Sequence, residues 1–158
     1  MTHSIQIRNA MTNEADYLSG LAYRSKKHWG YSPEFMHAAT HELTVTPGDI
    51  RNDKFHYFVA SIKTVVVGFY SLEEQSVTTV ELGAMFVEPD FIGSGVGKVL
   101  MDHAKTSAAK LGVSKIIIQS DPHAASFYQA AGGKVTGKRA SESIAGHVLP
   151  RLEIALSN

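Results

Sequence analysis

A chain of 158 residues, 44% apolar and 19% charged, has the size of one domain with a sizeable core. Fifteen Lys and Arg balance fifteen Asp and Glu, so no global field draws it to nucleic acid or to an anionic membrane surface. With no cysteine, disulfides, thiolate-bound zinc and a thiol nucleophile are all excluded.

The first residues lack a charged-then-apolar signal layout, and no apolar run approaches membrane-spanning length. A cytoplasmic protein is therefore expected. Ile5 and Ile7 alternate with polar neighbours as a short strand. Asn13 is placed to cap a helix through about Lys27, with Ala15, Leu18, Leu21 and Ala22 inward. Ser32-Pro33-Glu34 starts a second helix carrying Phe35, Met36, Ala39 and Leu43, after which Pro47-Gly48-Asp49 turns the chain.

Strands are predicted over 55–62, 65–72 and 77–87, the first two joined tightly at Lys63-Thr64, as an antiparallel meander. Val96, Val99, Leu100, Ala104, Ala108 and Leu111 give the next helix its apolar stripe, and Gly112 ends it. Ile116-Ile117-Ile118 reads as a strand buried on both faces and parallel to a neighbour. A helix over 124–131 and strands over 134–138 and 148–156 complete one domain spanning 1–158.

Between the third strand of the meander and the long helix lies Pro89-Asp90-Phe91-Ile92-Gly93-Ser94-Gly95-Val96-Gly97-Lys98. A strand feeding a helix through glycines leaves unpaired N–H groups at the positive helix end, and no Cβ keeps an anion away. The amides of Gly93, Ser94, Gly95, Val96, Gly97 and Lys98 are thus a phosphate seat. A plain glycine-rich turn is the alternative. The dinucleotide spacing G-x-G-x-x-G fails at Lys98 or at Leu100, and the Walker pattern fails at Ile92 and Val99.

The spacing that does fit is [Q/R]-x-x-G-x-[G/A], and on Gly95-Val96-Gly97 the chain resembles the GNAT acetyltransferase superfamily. Ile92 departs from the pattern, standing where the family has Gln or Arg. The element order βααβββαβαββ also matches that fold, an α/β (α+β) mixed sheet splayed near its middle. A second segment, Asp121-Pro122-His123-Ala124-Ala125-Ser126-Phe127-Tyr128, is similar to the family's later motif. Ala124, Phe127 and Tyr128 occupy its register. The resemblance implies that the Tyr128 hydroxyl is the general acid at the coenzyme A sulfur. It also implies that Asp121 caps the helix and reaches the pantetheine arm. As an ordinary amphipathic helix, the segment would instead hold Phe127 and Tyr128 as core aromatics.

The resemblance further places the amides of Met85, Phe86 and Val87, at a bulge in the central strand, against pantetheine and the thioester carbonyl. It places a catalytic glutamate at Glu81, which otherwise reads as a solvated acid at a strand end. An amine of pKa near 10.4 is almost wholly protonated at pH 7, so a base has to face it. Glu73 and Glu74, at a hairpin end, are weaker candidates. His28-Trp29-Gly30-Tyr31 falls in the bend that roofs the acceptor in this fold. Trp29 and Tyr31 are read as substrate contacts, with a core anchor the alternative for Trp29. The loop 141–147 is another candidate wall. His37 and His41 share a helix face but lack a completing acid, and no metal is expected.

The implied function is direct transfer of an acetyl group from acetyl-CoA to a primary amine of a small molecule. Acetylation of a protein N-terminus or lysine, or a non-catalytic acyl-CoA-binding module, are the rivals. The expected partners are acetyl-CoA and a small amine acceptor, with neither nucleic acid nor membrane; a homodimer is left open.

Overall fold

In a computed structural model, which describes residues 4–141 and 143–156, the elements follow the chain order expected of the sequence with one addition. They are β1 (Ile5–Asn9), α1 (Ala15–Lys27), α2 (Pro33–Leu43), α3 (Pro47–Arg51), β2 (Phe55–Ile62), β3 (Val65–Glu74), β4 (Thr79–Val87), α4 (Val96–Lys110), β5 (Lys115–Gln119), α5 (Ala125–Ala130), β6 (Lys134–Ala140) and β7 (Val148–Ala155). The addition is α3. Thr46 accepts from the Asp49 N–H while Asp49 accepts from the Thr46 N–H, and this reciprocal cap turns the expected bend into a short helix.

Seven strands form one mixed sheet in the order β1-β2-β3-β4-β5-β7-β6. Every pairing is antiparallel except β4–β5, which α4 connects. Alternate residues of β3 serve two cores on opposite faces. Tyr70 and Leu72 join α4, with Leu100, Met101 and Ala104. Phe69 joins α1 and α2, with Leu18, Leu21 and Met36. Leu18, Leu21 and Leu100 are fully buried, each stabilising the fold by about 1.5–3 kcal/mol.

Two helices depart locally from expectation. Helix α1 begins at Ala15 after a 3-10 turn, with Glu14 rather than Asn13 organising the start: its carboxylate accepts from the Met11 N–H and grips Arg8. On α4, Met101 takes a core position, whereas Val99 and Leu111 are 36% and 38% exposed. Both border a surface groove with Ile7, Phe58 and His103 instead of entering the core, which the apolar spacing alone does not give.

The relation that positions the site is between β4 and β5. They pair from Thr79↔Lys115 to Leu82↔Ile118, yet β4 continues to Val87. Beyond Leu82 the two strands part, and the gap opens between the sheet's halves.

Candidate active site

The free edge of β4 is built by a bulge. Ser71 pairs with Ala84 and Leu72 with Leu82, so Gly83 is the extra residue. A glycine inside a strand pattern is the sequence signal for such a bulge. After it, the Glu88 N–H donates to Val67 O, so by ladder alternation Phe86 and Ala84 also face β3. Met85 and Val87 direct their main-chain groups the other way, into the gap. Phe86 borders the cleft, but its N–H faces β3 and its ring packs on Phe69, so it does not offer the amide expected of it.

The glycine loop follows. Gly93 and Gly95 have φ of 84° and 96°, and a Cβ on either would meet nothing within 4 Å, so they serve backbone conformation and open approach. Gly97 serves packing: its Cβ would lie 3.3 Å from the Phe127 ring. The Val99 N–H makes a bond to Gly95 O, which leaves the Val96, Gly97 and Lys98 N–H groups as the unpaired start of α4. The Ser94 N–H is spent on Phe91 O, and its hydroxyl binds the same carbonyl at 2.5 Å. Ser94 thus closes the turn and lies outside the cleft lining. The Val96 side chain is fully buried in the core, so only its amide is on offer. Lys98 Nζ is exposed and pairs with Asp102 at 3.0 Å.

These elements border a cleft of about 500 Å³ whose walls include Met85, Val87, Ile92, Gly95, Gln119, Ala124, Phe127 and Tyr128. Tyr128 is 6% exposed; burial, and then the charge of Asp121, push its hydroxyl well above the ordinary tyrosine value, so it stays protonated. Phe127 meets it edge to face with centroids 5.2 Å apart. Gln119 Oε1 is buried in this wall without a hydrogen-bond partner, an acceptor that no sequence motif marked.

The roof is a polar latch that the sequence did not reveal. Lys26 Nζ and the Tyr31 hydroxyl both donate to Asp121 Oδ2 at 2.8 Å, while the His123 N–H donates to Oδ1 at 2.8 Å. Burial opposes ionisation of Asp121, but these three donors hold its carboxyl down at about 2. Its oxygens bind α1, the bend and, as expected, its own helix cap, and the residue borders the cleft. Trp29 lies over the cleft, stacked on His123 at 5.1 Å, and is not a core anchor. Tyr31 spends its hydroxyl on Asp121 and stacks on Phe35 at 3.9 Å, so it holds the roof and is absent from the cleft lining. From the loop before β7, His147 meets Tyr31 and Phe35 edge to face. Glu142 of that loop lies outside the described residues.

Glu81 is half-buried on β4 directly opposite Glu73, and it does not line the cleft. Burial raises its carboxyl pKa, against the opposing fields of Arg139 and Arg151. Glu73 lines a second pocket of about 160 Å³ whose wall at Gly83, Ala84 and Phe86 is shared with the cleft. Burial, then Glu81 and Asp49, raise the Glu73 carboxyl.

The acetyltransferase (GNAT) domain profile matches residues 10–148, and the chain belongs to that family. Over 89 residues it is 35% identical to the peptidyl-lysine N-acetyltransferase YjaB of Escherichia coli (strain K12), a match covering 56% of this chain and 55% of that one. The chain thus spans about half the length of the curated relatives it matches. A structure of PaiA N-acetyltransferase from Thermoplasma acidophilum in complex with coenzyme A is similar at TM-score 0.75 and 21% identity, covering 96% and 99% of the two chains. The ribosomal-protein-S18-alanine N-acetyltransferase of Escherichia coli gives TM-score 0.73 at 14% identity, over 98% and 96%. These relatives are named for different reactions, so the shared fold does not select the acceptor.

Proposed function

We propose that this chain transfers the acetyl group of acetyl-CoA directly to a primary amine of a small molecule. The observation that supports it is the convergence in one cleft of the free α4 amides, the unpaired edge of β4, and Tyr128. The residues fit the donor. Gly93 and the Gly95–Lys98 amides receive its pyrophosphate, and Gln119 Oε1 offers the acceptor that an amide N–H of the pantetheine arm needs. When bound, the donor supplies a thioester whose thiol is a fair leaving group. The Met85 and Val87 N–H groups orient and polarise its carbonyl, and Tyr128 holds the proton for the departing sulfur. Holding both reactants in the gap provides much of the rate by orientation. No cysteine is present to form an acyl-enzyme, which supports direct attack.

The latched roof over the cleft supports a small acceptor. A lysine side chain of a protein is the second reading, favoured by the name of the curated relatives. Cytoplasmic location, and a monomer or a homodimer, accord equally with either. Thiol release from acetyl-CoA with a panel of small amines and lysine peptides tests the proposal. Turnover of small amines above peptides supports it, peptide preference moves the protein to the second reading, and no turnover with tight acyl-CoA binding leaves a binding module.

A further inference from the structure

We propose that the pocket behind the Gly83 bulge receives the acceptor as an alkylammonium ion and that Glu73 takes its proton. This deepens the acetyltransferase reading by naming the chemical class of acceptor and the group that deprotonates it.

The pocket combines two features that suit an ammonium group. Glu73, Asp49 and, at the rim, Glu42 provide negative charge, while Phe55, Tyr57, Phe69 and Phe86 provide aromatic walls. Carboxylates and ring faces both attract an organic cation. The lining contains no Lys, Arg or His. A divalent cation would require oxygens that converge, and among the described residues no three His, Cys, Asp or Glu side chains do so.

Independent of the carboxylates is Ser71. It is fully buried on the face of β3 shared by Phe69 and Glu73, and its Oγ has no partner of hydrogen-bonding geometry. It stands 3.0 Å from where a Cβ on Gly83 would be, behind the shared wall. Its hydroxyl acts on that of Tyr57, which does line the pocket, so Ser71 tunes the polar end of the pocket from behind its wall.

Gly83 makes the arrangement possible. A Cβ there would stand 1.7 Å from Glu73 Oε2, so the missing side chain is what lets the carboxylate reach the bulge. The cleft and the pocket share the wall at Gly83 and Ala84, and Glu73 Oε2 reaches Gly83, so an ammonium held on Glu73 sits at the side of the pocket next to the cleft. The groups facing Glu73 are Glu42 from α2, Asp49 from α3, Tyr57 from β2 and Glu81 from β4. Asp49 and Glu81 strengthen the hold of Glu73 on a proton once it is taken, and the acidic lining favours a cationic guest.

The step balances. The ammonium gives one proton to Glu73, and the freed nitrogen lone pair forms the C–N bond to the acetyl carbon. The C–S bond breaks with its electron pair on sulfur, and the thiolate takes the Tyr128 proton. The second nitrogen proton returns to the Tyr128 oxygen through water, and Glu73 releases its proton to solvent. The products are the amide, the free thiol and one proton.

The test uses the full chain, with n-butylamine, Nα-acetyllysinamide and a lysine peptide as acceptors and aniline, uncharged at pH 7, as the comparison. Thiol release is followed from pH 6 to 10 for the parent, Glu73→Gln and Gly83→Ala, and n-butylammonium binding to the CoA-loaded protein is measured by calorimetry. Expected for Glu73→Gln is a loss of at least about a hundredfold in kcat/KM for alkylamines at pH 7, shrinking as pH rises, with a smaller loss for aniline. Its n-butylammonium affinity falls as well. Gly83→Ala keeps every charge but displaces the carboxylate, so it shows the same pattern in weaker form. Unchanged kcat/KM and pH profile in a folded Glu73→Gln protein overturns the assignment, as does failure of the parent to bind n-butylammonium. Binding that depends on Glu73 without thiol release from any amine retains the pocket and removes the acetyltransferase reading. The peptide arm separates a lysine source from a free amine.

Discussion

Glu73 stands directly opposite Glu81 on the β3–β4 ladder, and of the two only Glu73 lines the pocket that meets the cleft. Opposed carboxylates repel, and the Glu81 charge makes Glu73 harder to ionise. The family resemblance makes Glu81, by its place along β4, the expected base. The bulge at Gly83 instead gives the bordering position to its neighbour across the ladder.

The Glu81→Gln variant therefore separates the two. Removing the Glu81 charge relieves one of the causes that raise Glu73, so the acid limb of the kcat/KM profile moves to lower pH. Were Glu81 the base itself, its loss would move activity toward high pH, where the amine ionises unaided. Steady-state rates across pH 5–10 distinguish the directions.

Glu73 also sets a stability dependence. Its pKa is raised in the fold, so the folded state favours protonated Glu73. That favourable contribution is complete below the unfolded value near 4.3 and is lost as pH rises through the folded value. Glu73→Gln should accordingly be more stable than the parent at pH 7, with the advantage vanishing below about pH 4. Thermal melts at pH 4 and pH 7 check it.

The latch works in the opposite sense. The Lys26 and Asp121 side chains are only 11% and 14% exposed, and breaking such a pair leaves a buried charge. Lys26→Met should cost about 3 kcal/mol, or about 6–12 °C in Tm. Because Asp121 is held at about 2, its contribution is present above the unfolded value near 3.9 and is lost as pH falls toward 2. The parent and Lys26→Met proteins should therefore converge in stability toward pH 2. A looser roof should also raise KM for the acceptor more than for acetyl-CoA.

Tyr128→Phe keeps the ring against Phe127 and removes the proton held for the thiolate. A thiol of pKa near 8.5 leaves fairly well unaided, so kcat should fall about tenfold to a thousandfold while coenzyme A affinity stays within about threefold. Full kcat in the variant returns Tyr128 to a packing role.

Ile92 is 40% exposed on the cleft wall, so Ile92→Arg adds a donor without emptying a core site. It should tighten coenzyme A binding about threefold to tenfold. Gly95→Val should abolish that binding, since it both blocks the approach and forces a β-branched residue to a φ of 96°. Calorimetry on the two proteins tests the seat from both sides.

Features determined by residues close together in the chain are legible in the sequence itself. Ser32-Pro33 starts α2, and the Gly93–Lys98 run joins strand to helix, because caps, turns and helix ends depend on local chemistry. The alternating and helical apolar patterns likewise yield the strands and the order of elements along the chain. What only the tertiary structure decided was which polar groups meet. Lys26 reaches Asp121 across 95 positions, and Tyr31 reaches it across 90. Val99 borders a groove with Ile7 and Phe58 instead of the core, and Glu73 rather than Glu81 borders the pocket beside the register offset at Gly83. Periodicity tells which side of its own element a residue occupies. The partner on that side depends on strand register and helix crossing, which long-range packing sets.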